Sequence, residues 1–198
     1  MRATIVRTAL VGLVATFAVL GSGSASAEPL GPIPKLDVQR YLGTWNQLAA
    51  LPQPYNLNCA RDTQANYTLD PQGNVTVHNT CTTWQGGKND ILGKATINDK
   101  VTNAQLHVSF PDVPFQSDPN GPTNYIVTAI APDYSWALVG DPNRLSGFVL
   151  SRTTALTPQQ WKDVRSAIRT AGYNECVFLT SPTPGGLNQI APLCTLPQ

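Results

Sequence analysis

The stretch Gly43-Thr44-Trp45-Asn46-Gln47-Leu48-Ala49-Ala50-Leu51-Pro52 reads as a β-strand that starts just after a short turn. Trp45 decides what kind of sheet this is. Burying an aromatic ring withdraws roughly 150–250 Å² from water, so a lone tryptophan at a strand start wants a floor to close. A cation laid on its face would complete that floor. Arg152, in FVLSRT at the end of the last strand of the main run, supplies the cation. Gly43, Trp45 and Arg152 are therefore assigned to closing one end of the sheet, a structural role.

Between these residues the chain alternates with period two. Trp45, Ala49 and Leu51 share one parity, then Ala65, Tyr67 and Leu69, then Val75 and Val77 after the turn DPQGN. Ile91, Ala95 and Ile97 follow, then Leu106, Val108 and Phe110. Tyr125, Val127 and Ala129 come after the loop PDVPFQSDPNGPTN. Trp136 and Leu138, then Phe148 and Leu150, complete the run. Short alternating segments separated by turn residues are strands. Eight of them make a sandwich or a barrel, and alternation alone does not choose.

The period then changes. In LTPQQWKDVRSAIRTAGYN, Trp161, Val164, Ile168 and Ala171 recur at helical spacing. Thr157 is the N-cap, Pro158 the first helical residue, and Gln160 completes a capping box. Gly172 suits the position after the helix. A single apolar stripe places this helix against the outside of the sheet. CVFLTS is read as a ninth strand, the tail from 182 to 198 as loop, and DVQRYL as one short helical turn before the first strand.

Residues 1–27 have another character. Arg2 and Arg7, an apolar run from Ala9 to Leu20, and GSGSASA form a signal peptide cleaved after Ala27. The apolar run is shorter than the ~20 residues of a membrane span. Residues 28–198 then form a single domain. Without Arg2 and Arg7, Lys+Arg falls from 13 to 11 against 12 Asp+Glu, a formal charge of −1. No basic stripe is present, so nucleic acid is not an expected partner. Four cysteines in an exported chain read as two disulfides. None has C-x₂-C spacing, and His78 and His107 lie out of step with the inward residues, so neither a metal nor a haem is expected. No nucleophile elbow, phosphate loop or H-E-x-x-H is present, and the chain is not read as an enzyme.

Three separated stretches together resemble the lipocalin family. DVQRYLGTWNQLAALP is similar to its first motif, APDYSWALVG to its second, and FVLSRTTALT to its third, with Arg152 in the arginine position. The likeness runs from about Leu36 to Ser181 and is nearest the bacterial and plant lipocalins, which share the apolipoprotein D pattern. It implies an all-β fold: an eight-stranded antiparallel up-and-down barrel, one C-terminal α-helix outside it and a short ninth strand. Asn46-Gln47 replace the subgroup's usual Tyr-Glu. Phe148 stands where tryptophan is usual, after Gly147 where a bulky residue is common. These changes alter the inner wall.

A barrel of this size encloses one small ligand if its interior is hollow. Ala49, Ala65, Ala95 and Ala129 leave room among Tyr67, Phe110, Tyr125 and Phe148. Gln47, Ala49, Leu51, Tyr67, Phe110, Tyr125, Val127 and Phe148 are the expected ligand-lining residues, although the aromatics serve equally as core. Each buried CH₂ contributes about 0.8 kcal/mol, so a chain of about 16 carbons binds usefully by burial, less its ordering cost. Gln47 or a tyrosine hydroxyl would orient its head group. The expected partner is a small lipophilic ligand such as a fatty acid or lysophospholipid, carried by a secreted or envelope monomer, with loose membrane contact as a secondary partner. The rival reading is an interaction module with a filled barrel. In an up-and-down barrel Cys59 and Cys81 lie at the same, open end, which favours Cys59–Cys81 and Cys176–Cys194. The family resemblance implies the alternative, Cys59–Cys194 with Cys81–Cys176.

Overall fold

The computed structural model describes residues 28–197; the signal peptide assigned to 1–27 lies outside them. A one-turn helix, α1 (Val38–Tyr41), leads into β1 (Gly43–Ala50). Seven strands follow: β2 (Cys59–Leu69), β3 (Val75–Thr83), β4 (Lys88–Ile97), β5 (Gln105–Ser109), β6 (Tyr125–Ile130), β7 (Trp136–Gly140) and β8 (Gly147–Ser151). All pair antiparallel with their sequence neighbours, and β1 pairs with both β8 and β2, so the sheet closes on itself. The second helix, α2 (Pro158–Thr170), carries the expected cap: Thr157 Oγ1 accepts from Gln160 N–H, and Gln160 Oε1 accepts from Thr157 N–H. The ninth strand, β9 (Leu179–Thr180), is shorter than the sequence pattern indicates, because Glu175–Val177 forms a 3₁₀ turn led by Asn174. β9 pairs with Ala49 and Ala50 at the open end of β1.

Two apolar clusters divide the strands' two faces. The inner one contains Trp45, Ala65, Tyr67, Val75, Val77, Ala95, Leu106, Val127, Val139 and Leu150. The outer one packs Leu48, Ala49, Leu51, Ile126, Leu138 and Val149 against Val164 and Ile168 of α2 and against Phe178. The helix thus uses its single stripe to cover β1 and β6–β8, and that burial rather than intrinsic propensity holds it. Phe178, wholly buried, lies so close to Gly147 that a Cβ there would come within 2.9 Å of its ring. The small residue at 147 is therefore the space that Phe178 occupies.

Strict alternation misplaces three of the residues expected to face the interior cavity. The β1–β8 register shifts between Gln47 and Ala49: Gln47 opposes Leu150, but Ala49 opposes Val149. This bulge at Leu48 adds one residue and reverses the parity beyond it. Ala49 and Leu51, expected to line the interior, instead join the outer cluster, and Ala50 opposes Phe148 on the inner face. A second shift between Val127 and Ala129 sends Ala129 outward in the same way.

The disulfides are Cys59–Cys81 and Cys176–Cys194, with Cα–Cα distances of 5.6 and 4.9 Å. The first ties the open-end side of the β2–β3 hairpin. The second fastens the C-terminal tail beside α2. The family-implied alternative pairing is not the one formed.

Candidate functional site

One end of the barrel is sealed. Gly43 enters β1 at φ +90°, a conformation that glycine adopts without strain. It delivers Trp45 to the floor, fully buried, with its indole N–H donating to the Tyr41 carbonyl at 2.8 Å. The Arg152 guanidinium lies 3.7 Å from the Trp45 ring centroid and donates to the carbonyls of Thr44 and Arg40 at 2.9 and 2.7 Å. The pair is thus both stacked and hydrogen-bonded into the strand ends.

Above this floor stand three tyrosines. The Tyr125 hydroxyl is 2.8 Å from that of Tyr41 and 3.0 Å from that of Tyr67. The Tyr41 and Tyr67 rings stack at 5.7 Å, and Tyr67 meets Tyr125 edge-on. Burial raises all three phenols above their ordinary value, Tyr67 to about 12. With Leu36, Val38 and Leu42 from the N-terminal segment, they leave a cavity of only about 20 Å³, the room of roughly one water. The expected hollow is absent from this deep half, which side chains fill.

The half nearer the mouth differs. Phe110 and Phe148 pack on the inner cluster yet stay only half-buried. Ile91, sharing the parity of Ala95, is half-buried too. The Phe110 ring lies against Gly93. Asn79 pairs with Ile91 across β3–β4, and its side-chain oxygen is buried with no hydrogen-bond partner. Of the other residues expected in the lining, Val127 faces inward, wholly buried opposite Val139. Gln47 opposes inward Leu150, and its amide donates to Ser181 Oγ at 3.0 Å. Parity places Asn79 on this wall, yet the orphaned oxygen that marks it depends on how its neighbours pack.

Four loops surround the mouth, and each carries an exposed apolar side chain. Tyr55 and Leu57 lie between β1 and β2, Trp84 between β3 and β4, Phe115 between β5 and β6, and Leu145 between β7 and β8; their exposures run from 52% to 105%. Trp84 is at the rim, its indole N–H donating to the Leu57 carbonyl. The base of the β5–β6 loop is fastened outside the barrel. His107 faces outward beneath it, its ring nitrogens 2.6 and 2.7 Å from the Pro122 and Asp118 carbonyls. Asn124 bonds Val108 through both side-chain atoms. His78 also faces outward, beside Asp90.

Residues 36–183 match the family model described as a Lipocalin-like domain. The chain is 36% identical over 141 residues to temperature-induced lipocalin-1 of Arabidopsis thaliana, covering 70% of this chain and 75% of that one. It is 29% identical to the outer membrane lipoprotein Blc of Escherichia coli K12, covering 75% and 80%. Among solved structures, apocrustacyanin C2 superposes with a TM-score of 0.57 at 18% identity, covering 75% of this chain and 80% of that chain. At that identity the likeness speaks for the fold alone.

Proposed function

Since the chain belongs to the lipocalin family, whose members are generally binding proteins for small hydrophobic molecules, we propose that it carries a single-chain lipophilic ligand in the mouth half of its barrel. One observation carries the reading. Phe110, Ile91 and Phe148 face the inner wall but stay only half-buried. Apolar surface that folding leaves wet inside a concavity is what a lipophilic ligand buries. Gln47, Tyr67, Tyr125 and Val127 lie below or beside this wall and shape its depth. The orphaned oxygen of Asn79 offers an acceptor to a hydroxyl or amide of the head group.

The filled floor limits the ligand. A chain cannot reach Trp45 without displacing the tyrosine cluster, so it lies across the upper barrel with part of its length toward the rim. The reading is of a binding protein, not an enzyme. The two disulfides fit an oxidising compartment, and we assign 1–27 as the export signal removed after Ala27, releasing a monomer.

The apolar loop tips favour a second partner for the same end, a lipid surface. Five exposed apolar side chains on four loops around one opening form an unusual surface for a soluble domain. A mouth resting on a bilayer takes up its ligand without passing it through water.

The test is extraction of the purified protein, lipid mass spectrometry, and displacement of a fluorescent fatty acid. Bound lipid and displacement weakened by Ile91→Trp are expected. No bound lipid together with no displacement would overturn the carrier reading and favour an interaction module.

A further inference from the structure

A roomier, open concavity lies outside the barrel. A trough of about 300 Å³ runs between α2 and the C-terminal tail, lined by Leu156, Pro158, Trp161, Leu187, Leu196 and Pro197, with Lys162, Arg165 and Arg169 along one side. It is some fifteen times the cavity at the barrel floor and falls at the small end of ligand pockets, roughly 300–1,000 Å³. Its room equals on the order of ten water-sized groups.

The trough is built rather than incidental. Its outer wall is pinned: Leu193 is wholly buried, Cys194 is bonded to Cys176, and Arg165 Nη1 donates to the Leu196 carbonyl. Positions 162, 165 and 169 fall on one helical stripe, so the three cations share an edge while the apolar residues make the floor. Glu175 is the one carboxylate ion-paired to them among the described residues. It serves two of them at once, meeting Arg165 through both carboxylate oxygens and Arg169 at 3.0 Å. Lys162 forms no ion pair among the described residues. Asp163, next along the helix, is bonded by Gln159 and does not line the trough.

We propose that this trough is a second ligand site, separate from the barrel, for a fatty-acid carboxylate of medium chain length. The chain lies on Trp161, Leu187 and Leu196. The carboxylate meets Lys162, which forms no ion pair among the described residues, and Arg169, which it shares with Glu175, while the buried Arg165 belongs to the wall. Charge and shape each select: an anion alone finds only exposed cations, and an alkane alone leaves the basic edge unanswered.

Dodecanoate is titrated into the purified protein while the indole N–H resonances of Trp161 and Trp45 and the methyls of Ile91 are followed by NMR, with Trp161→Phe assigning the first. Trp161 should shift saturably with dodecanoate and stay unmoved by acetate at equal concentration. Lys162→Glu with Arg169→Glu should weaken the Trp161 response by about tenfold while leaving that of Ile91 intact. Both positions are exposed, and an unchanged Tm confirms that the variant folds. A Trp161 signal unmoved by dodecanoate overturns the proposal, as does one that survives the double reversal at full strength. Ile91 reads the barrel independently, so either site fails without the other.

Discussion

The two ends of the barrel are built on opposite rules. At the sealed end, each of the three loops is a tight turn with an aspartate bonded into it: Asp70, Asp99 and Asp133 accept from Asn74, Thr102 and Ser135, and those bonds hold their carboxyls below the ordinary range. Arg40 stacks over Tyr134 and donates to Pro132, while Arg152 covers Trp45. Val101 is the one large apolar residue exposed on those turns. At the open end, apolar tips face water and the inner wall is half-buried. One end is optimised for stability. The other leaves burial unfinished, as surfaces that meet a partner do.

If that division is real, stability and binding separate by position. The largest stability loss belongs to Trp45→Ala, about 3–5 kcal/mol by chemical denaturation, since it opens a cavity among fully buried neighbours. Arg152→Ala follows at about 1–3 kcal/mol, losing the cation–π contact and two charged hydrogen bonds. Both should lower Tm while fluorescent fatty-acid affinity stays near wild type. A large affinity loss with Tm preserved would place the pair in the binding site and break the division.

Tyr125→Phe tests the boundary between the ends. It orphans the hydroxyls of Tyr41 and Tyr67, costing about 1–2 kcal/mol at pH 7. The unfolded phenols titrate near 10, and burial pushes Tyr67 up to about 12. A folded pKa above the unfolded one means that the neutral form stabilises the fold. That contribution is whole below about pH 10 and is lost as pH rises through about 12. The wild type should therefore lose stability above about pH 10, and Tyr125→Phe should lose it less steeply, by up to about 1.4 kcal/mol per pH unit. Equal slopes would mean that Tyr125 is not a buried phenol.

Much of the sealed end is legible in the chain. Gly43, Trp45 and Arg152 announce themselves by residue type and by strand position. The α2 cap is written in Thr157 and Gln160, and the rim that two strand ends share favours Cys59–Cys81 over the pairing that the family resemblance implies. What is not legible depends on a neighbour. The bulges at Leu48 and near Thr128 have no local signature, because each exists only in the register with the next strand, and they move Ala49, Leu51 and Ala129 to the outer face. Each tyrosine has the right parity or place to face in, but their hydroxyls meet across 84 and 58 residues of chain. That convergence fills a floor that composition alone leaves roomy. The outer trough needs the tail to fold back on α2, which spacing does not encode.

The smallest stability effect carries the sharpest contrast. Trp84 and Phe115 are 62% and 105% exposed, so replacing both by serine should change unfolding free energy by no more than about 0.5 kcal/mol. Lipid contact should respond differently. A tip that gives about 100 Å² to a bilayer contributes about 2–3 kcal/mol. Loss of both should therefore reduce partitioning onto phosphatidylcholine vesicles by at least about tenfold. Uncharged vesicles are the right target, because Arg61 beside Asp62 gives the strand nearest the mouth both signs. Arg152→Ala, at the other end, should leave partitioning unchanged despite its lower Tm. If the wild type does not partition, or if the serine pair costs stability instead, the apolar tips belong to the fold after all and the two ends differ only in how tightly they are packed.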